Sequence, residues 1–268
     1  MLGRNRRLAG SFVLFAALSL PKVSICAARQ ASEVQTTAVE NPPLSVDQVV
    51  SHMDERNRER ASALRQFEGK RIYRMQYRGF FGSRDAEMVV GFKGSLKDKR
   101  FTIESESGSK FIIDHVFKKL LDGESEASTD KNRERTALNG DNYSFALTSF
   151  DQSSASPQYV LEVTPKTDEK FLYRGKIWVD AKDFAVTRIE AEPAKSPSMW
   201  VKKTEVNHRY EKLGDFWLPA ENRTDSTIRF GGQARLWIEY KDYKITETAA
   251  PELRSSAGEG MPPDITGH

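Results

Sequence analysis

The sequence predicts an α+β fold that is mainly antiparallel β: a half-open, unclosed β-barrel of about ten or eleven strands with an N-terminal helix and a helical lid. Three observations predict it. Apolar residues recur with a period of two in successive runs from Lys70 to Ile245, as in half-buried strands. All but one of the connections between runs are short, so neighbouring strands can be antiparallel without crossovers. The exception, residues 109–136, carries a helical period instead. So long a sheet must curl, close or split, and a half-open barrel wrapped around its helices is the economical arrangement.

In chain order, residues 1–28 read as a cleaved signal peptide. A short basic start precedes an apolar run from Leu8 to Leu20, which is too short to span a bilayer comfortably. Cys26-Ala27-Ala28 offers small residues for cleavage. Cys26 is the single cysteine, and Ile25 stands before it where an acylated lipoprotein needs a small residue, so a lipid anchor at Cys26 is the minority alternative. Cleavage after Ala28 leaves no thiol, which excludes disulfides, cysteine nucleophiles and cysteine metal sites. The formal charge is +3. Taking Arg4, Arg6, Arg7 and Lys22 from the 41 basic residues leaves 37 against 38 acidic ones, a net of about −1. Nucleic acid is not an expected partner.

Residues 29–44, with Pro42-Pro43, form a flexible linker, and residues 45–247 a single domain. Ser45 opens a helix with Gln48 placed as capping-box partner. Val46, Val49, Val50, Met53 and Leu64 fall near one stripe of that helix, and Asp54 to Arg60 supply a solvated side. Between Lys70 and Glu106, Tyr73, Met75 and Tyr77 share one phase of a first strand. Met88 and Val90 share one phase of the second, and Phe101 and Ile103 one phase of the third. This face carries long, flexible or aromatic groups and few Leu or Ile. It suits a plain sheet core or the wall of an adaptable acyl-binding cavity, and the pattern leaves both open.

Ser109 then begins a helix whose Ile112, Ile113, Val116, Phe117, Leu120 and Leu121 make a broad apolar stripe. A polar helix-compatible stretch continues it to Glu134. This insertion is either a lid or a permanently packed helix. Residues 142–150 and 158–164 resume the strands. Phe171 to Ala191 is a hairpin turning at Asp180-Ala181-Lys182-Asp183, and further strands span 199–211, 216–230 and 234–245. Residues 248–268 lack periodicity and read as a disordered tail.

No chemistry stands out. The four histidines form no ligand spacing, His115 at the edge of the greasy stripe reads as structural, and no nucleophile elbow or phosphate loop occurs. Acid pairs such as Glu104 and Glu106 are ordinary for a solvated strand. Neither an enzyme, nor a metal, nor a cofactor is expected.

The tract Tyr173-Arg174-Gly175-Lys176-Ile177-Trp178-Val179-Asp180, followed by Val186-Thr187-Arg188-Ile189-Glu190, resembles the outer-membrane lipoprotein-sorting family. So do Tyr210 to Pro219 and the last strand to Ile245. This LolA/LolB-like group comprises periplasmic lipoprotein carriers and receptors and relatives that bind other lipids or sense envelope stress. The resemblance spans about Ser45 to Ile245. It implies an unclosed barrel with an apolar cavity beneath a helical lid, no catalysis and no cofactor. It also implies an arginine that fastens the lid, for which Arg74 and Arg78 are candidates by strand location. The expected function is a monomeric periplasmic carrier or receptor for the acyl chains of a lipid or acylated lipoprotein, with peripheral membrane contact. The expected binding residues are Tyr73, Met75, Tyr77, Met88, Val90, Phe101, Ile103, Ile112, Val116 and Leu120. The alternative is a non-enzymatic module with a packed interior that meets an envelope protein partner.

Overall fold

A computed structural model describes residues 44–249, except 81, 154, 155, 197 and 230. The chain divides into Met1–Val39 and Glu40–His268, and the described residues all belong to the second unit. The expected signal peptide, nearly all of the linker and nearly all of the tail lie outside them.

Helix α1 (Val46–Ala63) begins as the sequence requires. The Ser45 side chain accepts from the Gln48 N–H, and the Gln48 side chain accepts from the Ser45 N–H. Leu64, expected on the helix, is the first residue of β1 (Leu64–Gly79) and is buried there. The chain continues through β2 (Gly82–Gly94) and β3 (Lys99–Gly108) into the helical insertion, then β4 (Tyr143–Asp151), β5 (Gln158–Pro165) and β6 (Tyr173–Asp180). β7 (Val186–Pro193), β8 (Val201–Leu213), β9 (Phe216–Ile228) and β10 (Gly232–Thr248) complete it.

Among the described residues ten strands join in one antiparallel sheet of order β3-β2-β1-β10-β9-β8-β7-β6-β5-β4. β3 and β4 do not pair with each other, so the sheet is unclosed. The half-open barrel expected from the periodicity and from the lipoprotein-sorting resemblance is therefore the observed architecture.

One row of cross-strand partners defines its inner face: Leu161, Ile177, Ile189, His208, Asn222, Ile238, Tyr73 and Met88 stand side by side across eight strands. Over one half of this face α1 buries Val49 and Met53 against Tyr159, Leu161, Val163, Ile177 and Val179. Over the other half lies the insertion, which is α-helical at α2 (Lys110–Ile112), π-helical over Ile113–Phe117 and α-helical again in α3 (Lys118–Ala127). It buries Ile112, Ile113, Phe117 and Leu121 against Tyr73, Met88, Val90, Leu236 and Ile238. Ser109 occupies the cap position without a side-chain bond. The polar stretch breaks at Ser128-Thr129 before a short α4 (Asp130–Thr136).

Gly108 aims the insertion. Its φ of 86° is disfavoured for other residues, and a Cβ there would lie 2.3 Å from the Asp85 carbonyl oxygen. The next residue, Ser109, donates its N–H to that same carbonyl at 2.8 Å, so the helical chain starts pinned against β2.

Candidate functional site

Two further rows of inner-face partners lie beyond the one beneath the insertion, toward the β1–β2 hairpin. One contains Ala191, Val206, Thr224, Leu236 and Met75; the other contains Thr204, Ser226, Ala234, Tyr77 and Arg84. The insertion reaches over them with Phe111, Ile112, His115, Val116 and Leu120 but does not fill the space. A cavity of about 1,040 Å³ remains, at the large end for small-molecule sites. Its floor on β8 and β9 carries hydroxyls, with Thr204 and Ser226 bonded to each other at 3.0 Å. Its other walls are apolar apart from Arg84, His115, Ser198 and Arg229 near the mouth. At the open end stand Phe80, 85% exposed, and Trp200, 57% exposed.

A second hollow of about 750 Å³ crosses the opposite face of β5 to β9. Five carboxylates and two guanidinium groups line it, and cations just outside the lining already pair with most of those acids: Arg188 with Glu190, Lys203 with Glu192 and Glu205, and Arg235 with Asp225. That is a solvated face whose charges are matched among themselves.

The expected binding residues divide by depth. Met75, Tyr77, Ile112, Val116 and Leu120 border the cavity. Tyr73, Met88 and Val90 point the same way but lie beneath the π-helical turn, fully enclosed as core. Phe101 is half-buried against that cluster. Ile103 pairs with Val90, but on edge strand β3, where it stays 41% exposed. Val206, Thr224, Ala234 and Leu236 supply the wall that alternation in the first meander does not reveal. Their own strands alternate clearly, but which strand lies beside β1 is not written in any local pattern.

The insertion is held down by charge as well as by grease. Arg71 is 4% exposed and stands in phase with Tyr73 on the inner face. Its guanidinium carbon lies 4.9, 5.2 and 5.0 Å from the ring centroids of Phe92, Phe101 and Tyr240. It donates to both oxygens of Glu124 in α3, and Lys99 Nζ donates to the same carboxylate at 2.7 Å. Burial pushes the Glu124 carboxyl up, but the Arg71 hydrogen bonds and the Lys99 and Arg71 charges outweigh it and hold it at about 2. Burial, opposed by Glu124, leaves the Lys99 ammonium below its ordinary range. Arg74 and Arg78 do not reach the insertion. Arg74 pairs with Glu87 and Glu239, and Arg78 with Asp85, on the opposite phase of β1. The signal for Arg71 was a cation on the apolar phase of a strand.

Between the two covered halves His208 stacks on Tyr210, with ring centroids 4.6 Å apart, and faces Tyr240 at 6.3 Å. Burial, with a smaller push from the Arg71 charge, lowers its imidazole to about 4, and its Nε2 is buried without a hydrogen-bond partner. His115 lies instead at the cavity rim, stacked on Phe111 at 4.5 Å. Among the described residues no His, Cys, Asp and Glu cluster could hold a metal, and no helix is long and apolar enough to cross a membrane.

No family model and no curated protein matches this chain. Among solved structures it is similar to a DUF1329 family protein from Desulfovibrio piger, with 14% identity and a TM-score of 0.37 over 75% of this chain and 94% of that one. It is also similar to a LolA superfamily protein from Nitrosomonas europaea, with 12% identity and a TM-score of 0.33 over 76% and 94%. A third likeness is to the MucA/MucB complex of Pseudomonas aeruginosa, with 10% identity and a TM-score of 0.22 over 76% and 99%.

Proposed function

We propose that this protein is a periplasmic carrier or receptor that shelters the acyl chains of a lipid or acylated lipoprotein between its inner sheet face and the helix over it. The observation that supports this most directly is the apolar cavity of about 1,040 Å³ beneath Val116 and Leu120. Burial stabilises an acyl chain by about 0.8 kcal/mol per methylene. A sixteen-carbon chain therefore gains on the order of 12 kcal/mol before the costs of ordering, without any directional chemistry. Met75 and the aromatic walls are adaptable enough to take chains of differing length. Delivery through a cleaved leader, a monomeric state and peripheral contact with a membrane belong to the same proposal.

The test replaces Val116 and Leu120 together with Asp. Both positions border the cavity without being fully enclosed, so the circular dichroism spectrum should be retained while uptake of a fluorescent fatty acid is lost. Unchanged uptake would overturn the proposal.

A second reading, an interaction module for an envelope protein, draws on the exposed Phe80, Met199 and Trp200 around the open end. Native mass spectrometry after gentle extraction separates the two. Co-purifying lipid supports the carrier, and a lipid-free complex with a protein supports the module.

A further inference from the structure

The cavity's lining contains no carboxylate. Its charged members are Arg84 and Arg229, with His115 beside them. This is unusual for a chain with 38 acidic residues, and for these strands in particular. Elsewhere on them the guanidinium groups other than that of Arg65 are matched by carboxylates, among them Arg74 by Glu87 and Glu239, Arg78 by Asp85, and Arg235 by Asp225. Among the described residues neither Arg84 nor Arg229 has an ion-pair partner. Arg84 lies over the Phe111 ring at 5.6 Å, and the Arg229 backbone N–H is tied to the Trp200 carbonyl at 2.8 Å.

The two arginines come from different places. Arg84 is in phase with Tyr77 on β2, and Arg229 follows the last residue of β9. Both stand at the exposed end of the cavity, where the strands of this half turn. We propose that the cavity selects an anionic amphiphile, its chain lying between Val116 and Leu236 and its carboxylate or phosphate at the mouth against Arg84 and Arg229. This rests on the acyl-binding reading of the cavity and adds the charge of the ligand to it.

The physical reason is complementarity of charge. An anion supplies the counter-charge that no carboxylate of the lining provides, and the guanidinium fork matches carboxylate and phosphate oxygens. A cationic headgroup meets two like charges, and a neutral one leaves them solvated but unmatched. Because both arginines are exposed, each favours the anion by only about fivefold, and the preference shrinks as salt rises.

The test uses four probes with the same twelve-carbon chain: laurate, dodecyl phosphate, 1-dodecanol and dodecyltrimethylammonium. Each displaces the neutral dye Nile red from the full-length protein. The expected result is that at least one anion binds roughly twentyfold more tightly than 1-dodecanol at low salt, and that the ammonium binds weakest. In R84Q/R229Q the ratio of anion affinity to 1-dodecanol affinity should fall to near unity. Laurate against dodecyl phosphate distinguishes the two sources of the anion.

If no probe binds, the acyl-binding reading itself is wrong, and this proposal falls with it. If all four bind alike, the cavity reading stands and the charge selection is refuted. A preference that survives in R84Q/R229Q would likewise refute the assignment to these arginines.

Discussion

The two halves of the inner face are covered by helices in opposite manners. Over β5, β6 and β7, α1 drives Val49 and Met53 into a continuous apolar cluster with no exposure at either side chain. Over β1, β2 and β10, the insertion packs tightly only around its π-helical turn and leaves a hollow toward the hairpin end. Their polar fastenings differ too. α1 is fixed by Arg60, which donates to the carbonyls of Asp183 and Phe184 at 2.8 and 3.2 Å. α3 is fixed by a nearly dry guanidinium, a carboxylate and an ammonium. A close-packed cluster is costly to disturb anywhere, whereas a cover seated at one end and pinned by charge can roof an empty volume. The first half is filled by its own side chains, and the second half keeps an open volume.

The largest expected difference comes from the same chemical change made on each side. Met53→Ala should lower unfolding free energy by about 3 kcal/mol, because it opens a void in a filled cluster. Met75→Ala should cost about 1 kcal/mol or less, since it only enlarges existing space. Urea denaturation of both variants measures this, and equal losses would erase the distinction.

Next in size, Glu124→Gln should cost about 2 kcal/mol, because it strips the counter-charge from a buried Arg71. Acid should mimic it. The Glu124 carboxyl is held at about 2 when folded, against 4.5 for its ordinary value. Its contribution is therefore complete above that ordinary value and is lost as pH falls toward the folded one. His208 acts in the same direction at higher pH. Its folded value of about 4 lies below the ordinary 6.5, so the unfolded chain takes up the proton first and stability falls as pH drops through that window. Thermal melts across this range should show stability declining in wild type and less steeply in Glu124→Gln.

The smallest effect is expected for Arg60→Gln, which removes two carbonyl contacts while leaving the α1 cluster intact. A loss of about 1 kcal/mol in the same denaturation assay is the expected outcome.

Much of the architecture was legible because it is written locally. Period-two runs mark strands, Ser45 with Gln48 marks a helix start, and the offsets of Ile112, Val116 and Leu120 mark a helix with one greasy side. What could not be read was position along a strand relative to a helix that packs from elsewhere in the chain. Tyr73 and Met75 have the same phase, yet one lies under the π-helical turn and the other under the hollow. The far wall depended on β10 returning to lie beside β1, a pairing of residues more than 150 positions apart that no short-range pattern encodes. Arg71 keeps the phase of Tyr73 and Met75, but its partner Glu124 stands 53 positions further on in the insertion, a contact that no local pattern encodes.

The wide turn at Ile113–Phe117 carries one more consequence. A π-turn amounts to an α-helix holding a surplus residue. Because the wide turn absorbs that residue, Leu121 and Glu124 keep the bearing they would have on a regular coil one residue shorter. Winding the same residues as an unbroken α-helix would instead swing everything after the turn by about 100°, carrying Leu121 off its greasy seat and Glu124 away from the aromatic box around Arg71. The wide turn is thus what lets a segment of this length meet both anchors at once, a fit that conservative side-chain exchanges leave alone.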